Sequence, residues 1–298
     1  MAAVTELGYL GLNATDLDAW KVYATQCVGL EVLNEGEGDR FYLRMDHWHH
    51  RLVVHESAED DLAYMGWRVA DAAAFDAMAR QLDDAGLEFQ VASDAEAAER
   101  RVLGMLHLQS PGDIRNEVFF GAHVLTRQPF HPGRPLFGRF VTGDQGLGHC
   151  ILREDDVPAA AAFYGALGLN GGVEYRLPMP DGNVAELYFM HCNDRQHSIA
   201  YGAGPQAKRI NHLMLEYTEL DDLGLAHDII RGRGIDVALQ LGKHSNDQAL
   251  TFYSATPSGW LMELGWGARK ALAQQEYYGG DIFGHKPETG GYGLDIEL

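Results

Sequence analysis

Positive charge is scarce in this sequence. Lysine and arginine together number 23 among 298 residues, against 43 aspartates and glutamates, and the formal net charge is −20. Nucleic acids and anionic membranes are bound through clustered basic side chains that neutralise phosphate. The composition therefore argues against both as partners, and it says little about a small-molecule substrate.

Cysteines and long apolar runs are also few. The three cysteines, Cys27, Cys150 and Cys192, form no disulfide framework, so a reducing cytoplasm is the expected compartment. No apolar run reaches the roughly 18 residues of a membrane span, and segment 1–10 lacks the basic and apolar regions of a secretory signal. We therefore expect a cytoplasmic protein of one large or two ordinary domains.

Histidine, in contrast, is plentiful at 14 residues, which is a first hint of metal chemistry. The chain also repeats itself at an offset of roughly 140 to 148 residues. Segment 7–9 (LGY) opens an apolar run as segment 147–149 (LGH) does, and Glu117 follows a proline turn as Glu263 does. Each copy has the pattern of a strand, a helix and alternating strands, then a second strand–helix pair and a closing strand.

The repeat brings three potential metal ligands into comparison. The residues at equivalent positions are His149, His212 and Glu263 in the second copy and Tyr9, Tyr64 and Glu117 in the first. Two histidines and a carboxylate are the facial triad, which leaves adjacent positions on Fe(II) open for substrate and dioxygen. Two neutral imidazoles and one carboxylate leave a net charge of +1, which suits an anionic catecholate. Mn(II) accepts the same ligands and remains an alternative.

The repeat also suggests the domain boundary. Segment 127–135 carries three prolines and neither a helical nor a strand period, so it is the predicted linker. We expect residues 1–134 to form an N-terminal domain without metal, serving as a structural half or an oligomer surface. Residues 135–298 would form the catalytic Fe(II) domain. The tail beyond Gly279 is expected to have little regular structure of its own.

A longer motif lies between residues 242 and 263. Segment 242–244 (GKH) is followed, after seven intervening residues, by Phe252 and Tyr253, then by segment 256–259 (TPSG) and by Glu263. This stretch resembles the signature of the type I extradiol dioxygenases, with its fixed histidine, tyrosine, proline and glutamate. The resemblance covers essentially the whole chain, including segments 146–149 (GLGH), 191–195 (HCNDR) and 211–216 (NHLMLE).

The resemblance implies a fold and an activity. The fold would be α+β, with duplicated vicinal oxygen chelate domains, each of two βαβββ modules forming an open barrel-like sheet. The activity would be extradiol cleavage of a bicyclic catechol, such as 2,3-dihydroxybiphenyl or 1,2-dihydroxynaphthalene, with O2 and Fe(II) in aromatic hydrocarbon degradation. It also implies a homo-oligomer, and the members it resembles most are octameric.

The resemblance further assigns residues around the metal. His197 would be the acid–base catalyst and the group that stabilises reduced dioxygen, a task suited to a side chain whose pKa lies near working pH. His244 would hydrogen-bond a catechol oxygen, and the Tyr253 hydroxyl would orient or protonate the reacting substrate. Asn246 and Asp247 would position that pair at the substrate, and Phe189 would form part of the pocket wall. His191 competes with His197 but ends an apolar strand, which favours a structural role.

Three other interpretations stay open. A glyoxalase-type isomerase or an epimerase of this fold needs a fourth protein ligand, commonly a second carboxylate, whereas this set has three. A non-catalytic binding module of the same fold would lack the ligands altogether. The histidine-rich segment 47–50 (HWHH) could suggest another metal site, but we expect it to lie away from the first copy's equivalents of the triad.

Overall fold

The computed structural model describes residues 1–33, 35–178, 182–202, 207–272 and 275–289. The elements of the first half are β1 (Glu6–Ala14), α1 (Leu17–Val22) with a π-helical continuation (Tyr23–Val28), β2 (Glu31–Leu33), β3 (Arg40–Arg44), β4 (Leu52–Glu56), β5 (Asp61–Arg68), α2 (Ala72–Asp84), β6 (Gln90–Val91), α3 (Asp94–Glu99), β7 (Gly104–Gln109) and β8 (Arg115–Phe120). This order is βαβββ twice, with α3 inserted in the second module.

The second half repeats this order. Its elements are a 3₁₀ turn (Gly143–Gln145), β9 (His149–Leu152), α4 (Val157–Ala166), β10 (Asn170–Pro178), β11 (Val184–His191), β12 (Ile199–Gly202), β13 (Ile210–Tyr217), α5 (Leu220–Gly232), β14 (Val237–Lys243), β15 (Leu250–Ala255), β16 (Leu261–Trp266) and β17 (Glu276–Tyr278). Both halves therefore consist of two βαβββ modules, as the resemblance implies.

Each half forms one mixed sheet. Among the described residues, the first sheet has eight strands in the order β2-β3-β4-β1-β5-β8-β7-β6. The second has nine, in the order β14-β15-β16-β13-β9-β12-β11-β10-β17, which is the same arrangement with β17 added at one edge. The two halves are vicinal oxygen chelate domains, and the predicted fold class is confirmed.

Strand register shows how closely the copies correspond. Leu10 pairs with Leu52 in the first sheet, and Cys150 pairs with Ile199 in the second. The pairing of β5 with β8 corresponds in the same way to the pairing of β13 with β16, since Glu117 lies opposite Gly66 and Glu263 lies opposite Met214. A shift of one residue would turn every side chain to the other face of a strand. The shared register therefore places equivalent residues of the two copies on equivalent faces.

Local sequence determines where the helices begin and end. The Asp71 carboxylate accepts a hydrogen bond from the backbone N–H of Ala74 at the start of α2, and Asp156 does the same at the start of α4. Such N-caps satisfy backbone donors that have no partner within the helix. Gly234 follows α5 with a positive φ of 70°, a conformation that glycine adopts without strain.

The two halves pack on each other through α1. The Trp20 indole N–H donates to Ser258 Oγ at 2.8 Å, and its ring lies 5.4 Å from that of Trp260. Stretch 127–135, which the structure describes throughout, contains neither helix nor strand. Arg134 is nevertheless buried and donates to the Cys27 carbonyl at 3.0 Å. In the described part of the chain, no helix is long and apolar enough to cross a membrane.

Candidate metal centre

Three neighbouring strands bring the predicted ligands together. His149 begins β9, His212 lies in β13 and Glu263 lies in β16, and β13 runs between the other two strands. All three side chains are buried, and Glu263 is 0% exposed. A buried carboxylate is stable only with charged or hydrogen-bonding partners. The histidines around Glu263 provide such partners at the centre of the sheet.

Distances at the centre fit one metal ion. Nε2 of His149 lies 3.1 Å from Glu263 Oε2, and Nε2 of His212 lies 3.2 Å from the same oxygen. With bonds of about 2.1 Å, adjacent ligands at right angles on one ion lie about 3 Å apart. The amide oxygen of Asn211 lies 2.9 Å from Nδ1 of His212. That bond keeps the proton on Nδ1 and leaves Nε2 free for a metal.

Electrostatics favour the forms that bind metal. Burial alone would raise the pKa of Glu263, but hydrogen bonds from His149, His212 and His244 outweigh it and hold the pKa well below its usual range. Burial lowers the pKa of His212, although Glu263 opposes the shift. Metals bind ionised carboxylates and neutral imidazoles. The residues present therefore suit a divalent ion held by two histidines and one carboxylate.

His197 lies against the ligands. It is 3% exposed, its ring centroid is 3.8 Å from that of His149, and the ring of Phe189 meets it edge-on at 4.8 Å. Its Nδ1 lies 2.6 Å from the Gln196 amide oxygen, so Nδ1 donates and Nε2 is the acceptor. Burial and the neighbouring His149 lower the pKa of His197 well below its ordinary value. His191 is half-buried at the end of β11.

His244 and Tyr253 lie on the other side of the carboxylate. His244 Nε2 is 2.8 Å from the Tyr253 hydroxyl and 3.0 Å from Glu263 Oε1. Burial would lower the pKa of His244, but Asp281 and Glu263 raise it well above the ordinary value. Burial, with the nearby Glu263, raises the pKa of Tyr253. Both pKa shifts favour the protonated forms of the phenol and the imidazole.

Asn246 and Asp247 lie in the loop between β14 and β15, and both are buried. The Asn246 amide oxygen accepts from the backbone N–H of Asp247 at 2.8 Å, and Asp247 Oδ1 accepts from the N–H of Ala249 at 2.9 Å. A carboxylate oxygen of Asp247 also lies within 4.8 Å of ligand nitrogens of His149 and His197. These residues shape the loop, and Asp247 reaches the centre.

Phe189 belongs to an apolar cluster on the same face of the sheet. The buried members of the cluster are Ile151, Val173, Tyr175, Phe189 and Ala200, with Leu177, Leu187 and Tyr278 packed against them. Because Phe189 contacts His197, the cluster begins beside the metal ligands. The arrangement provides an apolar wall next to a charged centre, a combination that binding sites for organic ligands use.

Two residues of the site had no signal in the sequence. Asp281 and His285 come from the tail, and the Asp281 carboxylate lies 2.8 Å from Nδ1 of His244 and 2.8 Å from Nδ1 of His285. Burial would raise the pKa of Asp281, but the two histidines hold it below its usual range. Beyond Gly279 the described tail forms only isolated bridges, as expected. Residues 290–298 lie outside the described part.

The first copy gathers its equivalent residues around a guanidinium. The Tyr9 hydroxyl donates to Glu117 Oε2 at 2.7 Å, and Arg100 Nε donates to the same oxygen at 3.1 Å. The Arg100 guanidinium also stacks over the ring of Tyr64 at 3.8 Å. The buried carboxylate of this half therefore has a side-chain cation beside it.

The expectation that segment 47–50 lies away from the first copy's triad equivalents is wrong for His50. Its ring centroid is 5.7 Å from that of Tyr9. The parallel pairing of Leu10 with Leu52 carries His50 to this place, where it is the counterpart of His197. Sequence spacing concealed this relation, because strands that pair in parallel are far apart along the chain.

Gly148 is required for the position of His149. A Cβ at Gly148 would lie 1.9 Å from the backbone oxygen of Met214, the residue that pairs with His149 across β9 and β13. Gly148→Ala should push the two strands apart and reduce the free energy of unfolding by about 3 kcal/mol. The metal bound per folded chain should fall with it, as denaturant titration and metal analysis would measure.

Gly165 in α4 provides the matched control, because a Cβ there meets nothing within 4 Å. Gly165→Ala should keep full metal content and gain up to about 1 kcal/mol of stability. A Gly148→Ala protein with the unfolding free energy and metal content of the unaltered chain would contradict this account of the strand contact.

Two domains of paired βαβββ modules, one with two histidines and a glutamate at its centre, define a metal-binding protein of the vicinal oxygen chelate class. Comparison with protein families agrees. Residues 7–56 match the model described as "Dihydroxybiphenyl dioxygenase BphC D1". Residues 146–264 match the "Glyoxalase/Bleomycin resistance protein/Dioxygenase superfamily".

Comparison with full-length relatives identifies the family within this class. The chain is 68% identical to a biphenyl-2,3-diol 1,2-dioxygenase of Sphingomonas paucimobilis and 65% identical to a 1,2-dihydroxynaphthalene dioxygenase of Sphingobium xenophagum, with 100% of both chains covered in each case. A crystal structure of a catechol 2,3-dioxygenase superposes with a TM-score of 0.98 at 62% identity, covering 100% of this chain and 99% of that one. The chain belongs to the extradiol dioxygenases of this superfamily and is a ring-cleaving dioxygenase.

Proposed function

We propose that this enzyme cleaves a bicyclic catechol, such as 2,3-dihydroxybiphenyl or 1,2-dihydroxynaphthalene, at the ring bond outside the diol, using Fe(II) and dioxygen in aromatic hydrocarbon degradation. The observation that carries the proposal is the convergence of His149, His212 and Glu263 within 4.8 Å of one another, with an apolar wall beside them. The names of the full-length relatives include both diols.

Fe(II) is the proposed metal, held by these three side chains. The set of two imidazoles and one carboxylate is that of non-haem Fe(II) oxygenases, in which positions on the metal stay open. When bound, the ion would supply a Lewis-acid centre for the diol oxygens and electrons for dioxygen. Mn(II), which accepts the same ligand atoms, is the alternative metal.

His197 is the proposed acid–base catalyst. Its Nδ1 is fixed by Gln196, so any proton it takes or gives moves through Nε2. A neutral imidazole can accept a proton from a catechol hydroxyl and return it later in the reaction. Burial against His149 and Phe189 holds the ring in one orientation and keeps bulk water away from it.

His244 and Tyr253 are proposed to handle the diol oxygens from the opposite side. Their polar atoms lie 2.8 Å apart, so both can reach one substrate oxygen. His244 would hydrogen-bond a catechol oxygen, and Tyr253 would orient the substrate or donate its phenolic proton. Asn246 and Asp247 would hold the loop that carries His244 in place.

The second ring of the substrate is proposed to lie on the apolar wall that includes Phe189. Removing a ring of this size from water contributes roughly 2–3 kcal/mol to binding. A single-ring catechol has the same diol and lacks this contact. A bicyclic diol should therefore have a kcat/KM roughly 10 to 100 times that of plain catechol, since about 1.4 kcal/mol corresponds to a factor of ten.

The remaining proposals concern organisation. We propose a domain of residues 1–134 without metal, because Arg100 already neutralises Glu117, and a catalytic domain of residues 135–298. A homo-oligomer, with an octamer favoured, rests on the family resemblance. A cytoplasmic location is supported by the three cysteines, which are all free thiols within the described residues.

Anaerobic purification with metal analysis tests the proposed function. Dioxygen consumption would be followed with 2,3-dihydroxybiphenyl, 1,2-dihydroxynaphthalene and catechol. We expect one iron per chain, consumption with both bicyclic diols and a yellow ring-fission product. Bound iron without dioxygen consumption on any of the three diols would overturn the substrate proposal. A protein active only when loaded with manganese would replace Fe(II) by Mn(II).

A further inference from the structure

The tail of the chain lies along the edge of the catalytic sheet. Residues 280–287, here called the C-terminal strap, follow β17 and run beside β14. The N–H of Lys243 donates to the Phe283 carbonyl at 2.7 Å, and the N–H of Ile282 donates to the Lys243 carbonyl at 2.8 Å. A further bond joins Gln240 to Lys286 at 3.1 Å. The strap is therefore hydrogen-bonded to the strand that leads directly into His244.

The strap places one carboxylate against the site. Asp281 Oδ1 accepts hydrogen bonds from Nδ1 of His244 at 2.8 Å and from the Tyr175 hydroxyl at 2.9 Å. Its Oδ2 accepts from Nδ1 of His285 at 2.8 Å. With both oxygens engaged by separate elements of the fold, the carboxylate has a fixed orientation.

The donors to Asp281 are themselves anchored. His285 is 3% exposed, and its Nε2 lies 2.9 Å from the Thr251 hydroxyl in β15. The Tyr175 hydroxyl also lies 3.1 Å from the Ser245 hydroxyl, which donates to the Gly280 carbonyl at 2.6 Å. The network therefore joins β10, the loop after β14, β15 and the strap around one carboxylate.

His244 needs such a support. Its Nε2 faces Tyr253 and the Glu263 carboxylate, while Nδ1 faces away from the metal ligands. A half-turn of the ring about its bond to Cβ would put ring carbons where the two nitrogens now lie, and a second hydrogen bond on the far nitrogen opposes it. Asp281 supplies that bond. Asp281 bonds to His244, Tyr175 and His285. Among these three partners only His244 hydrogen-bonds to both Tyr253 and Glu263, so an effect of Asp281 on kcat points to His244.

We propose that Asp281 is a positioning residue for ring cleavage: through its bond to Nδ1 it holds the His244 imidazole so that Nε2 points at the substrate oxygen and Glu263. The inference rests on the proposed function and deepens it, by making the C-terminal strap part of the active site. Hydrogen-bond partners of metal-ligating histidines typically contribute 10–100-fold to metal affinity or activity, and we expect an effect of similar size for the partner of His244.

The test compares Asp281→Ala, Asp281→Asn and a control, Phe283→Ala, in the full-length protein. Phe283 is on the strap with its side chain 54% exposed, and its bonds to β14 come from the backbone. The measured quantities are kcat per bound metal ion and the anaerobic Kd for 2,3-dihydroxybiphenyl. A merely structural role of Asp281 would change the folded fraction and leave kcat per bound metal unaltered.

We expect Asp281→Ala to lower kcat per bound metal about 10–100-fold, with the Kd changed less than about threefold. Asp281→Asn keeps an oxygen acceptor for Nδ1 and should recover part of the lost kcat. If the alanine variant fails to fold, the asparagine variant still provides the test. Phe283→Ala should match the unaltered enzyme. Asparagine and alanine variants with unchanged kcat, or a loss confined to Kd, would overturn the inference. An unaltered enzyme inactive on the diol would instead refute the proposed function.

Discussion

Glu263→Gln is expected to abolish metal binding and to lower dioxygen consumption at least roughly a thousandfold, which corresponds to about 4 kcal/mol of transition-state stabilisation. The carboxylate lies 3.1 and 3.2 Å from Nε2 of His149 and His212 and is completely buried. A neutral amide supplies no charge to offset that of a divalent ion, so the three-ligand set would be incomplete. Metal analysis after anaerobic purification and an oxygen electrode would measure both effects.

The duplicated fold offers a matched control for this substitution. Glu117 is the counterpart of Glu263, and it is buried beside Arg100 and Arg115. Glu117→Gln removes one of the two carboxylates that pair with the buried Arg100, the other being Glu99, and should cost up to about 3 kcal/mol of unfolding free energy. The folded protein should nevertheless keep its metal. His149→Ala should behave as Glu263→Gln does. Stoichiometric iron in both His149→Ala and Glu263→Gln would show that the ligands are misassigned.

His197→Ala is expected to separate binding from turnover. The variant should hold the metal and bind the diol, because His197 is not one of the three proposed ligands. Its kcat should fall by roughly 10²–10⁴-fold, the contribution of a positioned acid–base group. Anaerobic titration with 2,3-dihydroxybiphenyl gives Kd, and steady-state dioxygen uptake gives kcat.

His50 provides the control for His197, since it has the equivalent register position in the other copy. His50→Ala removes a ring beside Tyr9, far from the proposed ligands in sequence and in the other sheet. Turnover per bound metal should then equal that of the unaltered enzyme. If His197→Ala keeps its full kcat, the catalytic role of this histidine is wrong.

Much of the fold could be predicted because the chain contains two copies of one unit. Short matches such as LGY at 7–9 and LGH at 147–149 mark equivalent strand starts. Strand pairing then places the matched segments at equivalent positions in the two sheets. Glu117 and Glu263, for example, lie opposite the equivalent residues Gly66 and Met214. Periodicity could not show how the halves pack, since the contact of Trp20 with Ser258 joins residues far apart in the chain.

The residues of the candidate site could likewise be predicted where the repeat displays them, and could not where they lie outside it. His149 and His212 were predictable because the other copy has tyrosines at the equivalent positions, and Glu263 because both copies have a glutamate there. Asp281 and His285 were not, because the tail carries no helical or strand period, and its position follows from backbone bonds to β14. His50 was misjudged for a related reason: only the parallel pairing of β1 with β4 shows that it lies beside Tyr9.

The arginine beside Glu117 has a consequence for how the protein responds to the supply of its proposed metal. A ligand that binds only the folded state adds stability that grows with its free concentration. The second half would gain this stability from the metal ion proposed for it, whereas the cation of the first half, Arg100, belongs to the polypeptide itself. Without the metal, the second half should unfold more readily than the first. The first half would then remain as a folded scaffold on which the second can refold when the metal is restored.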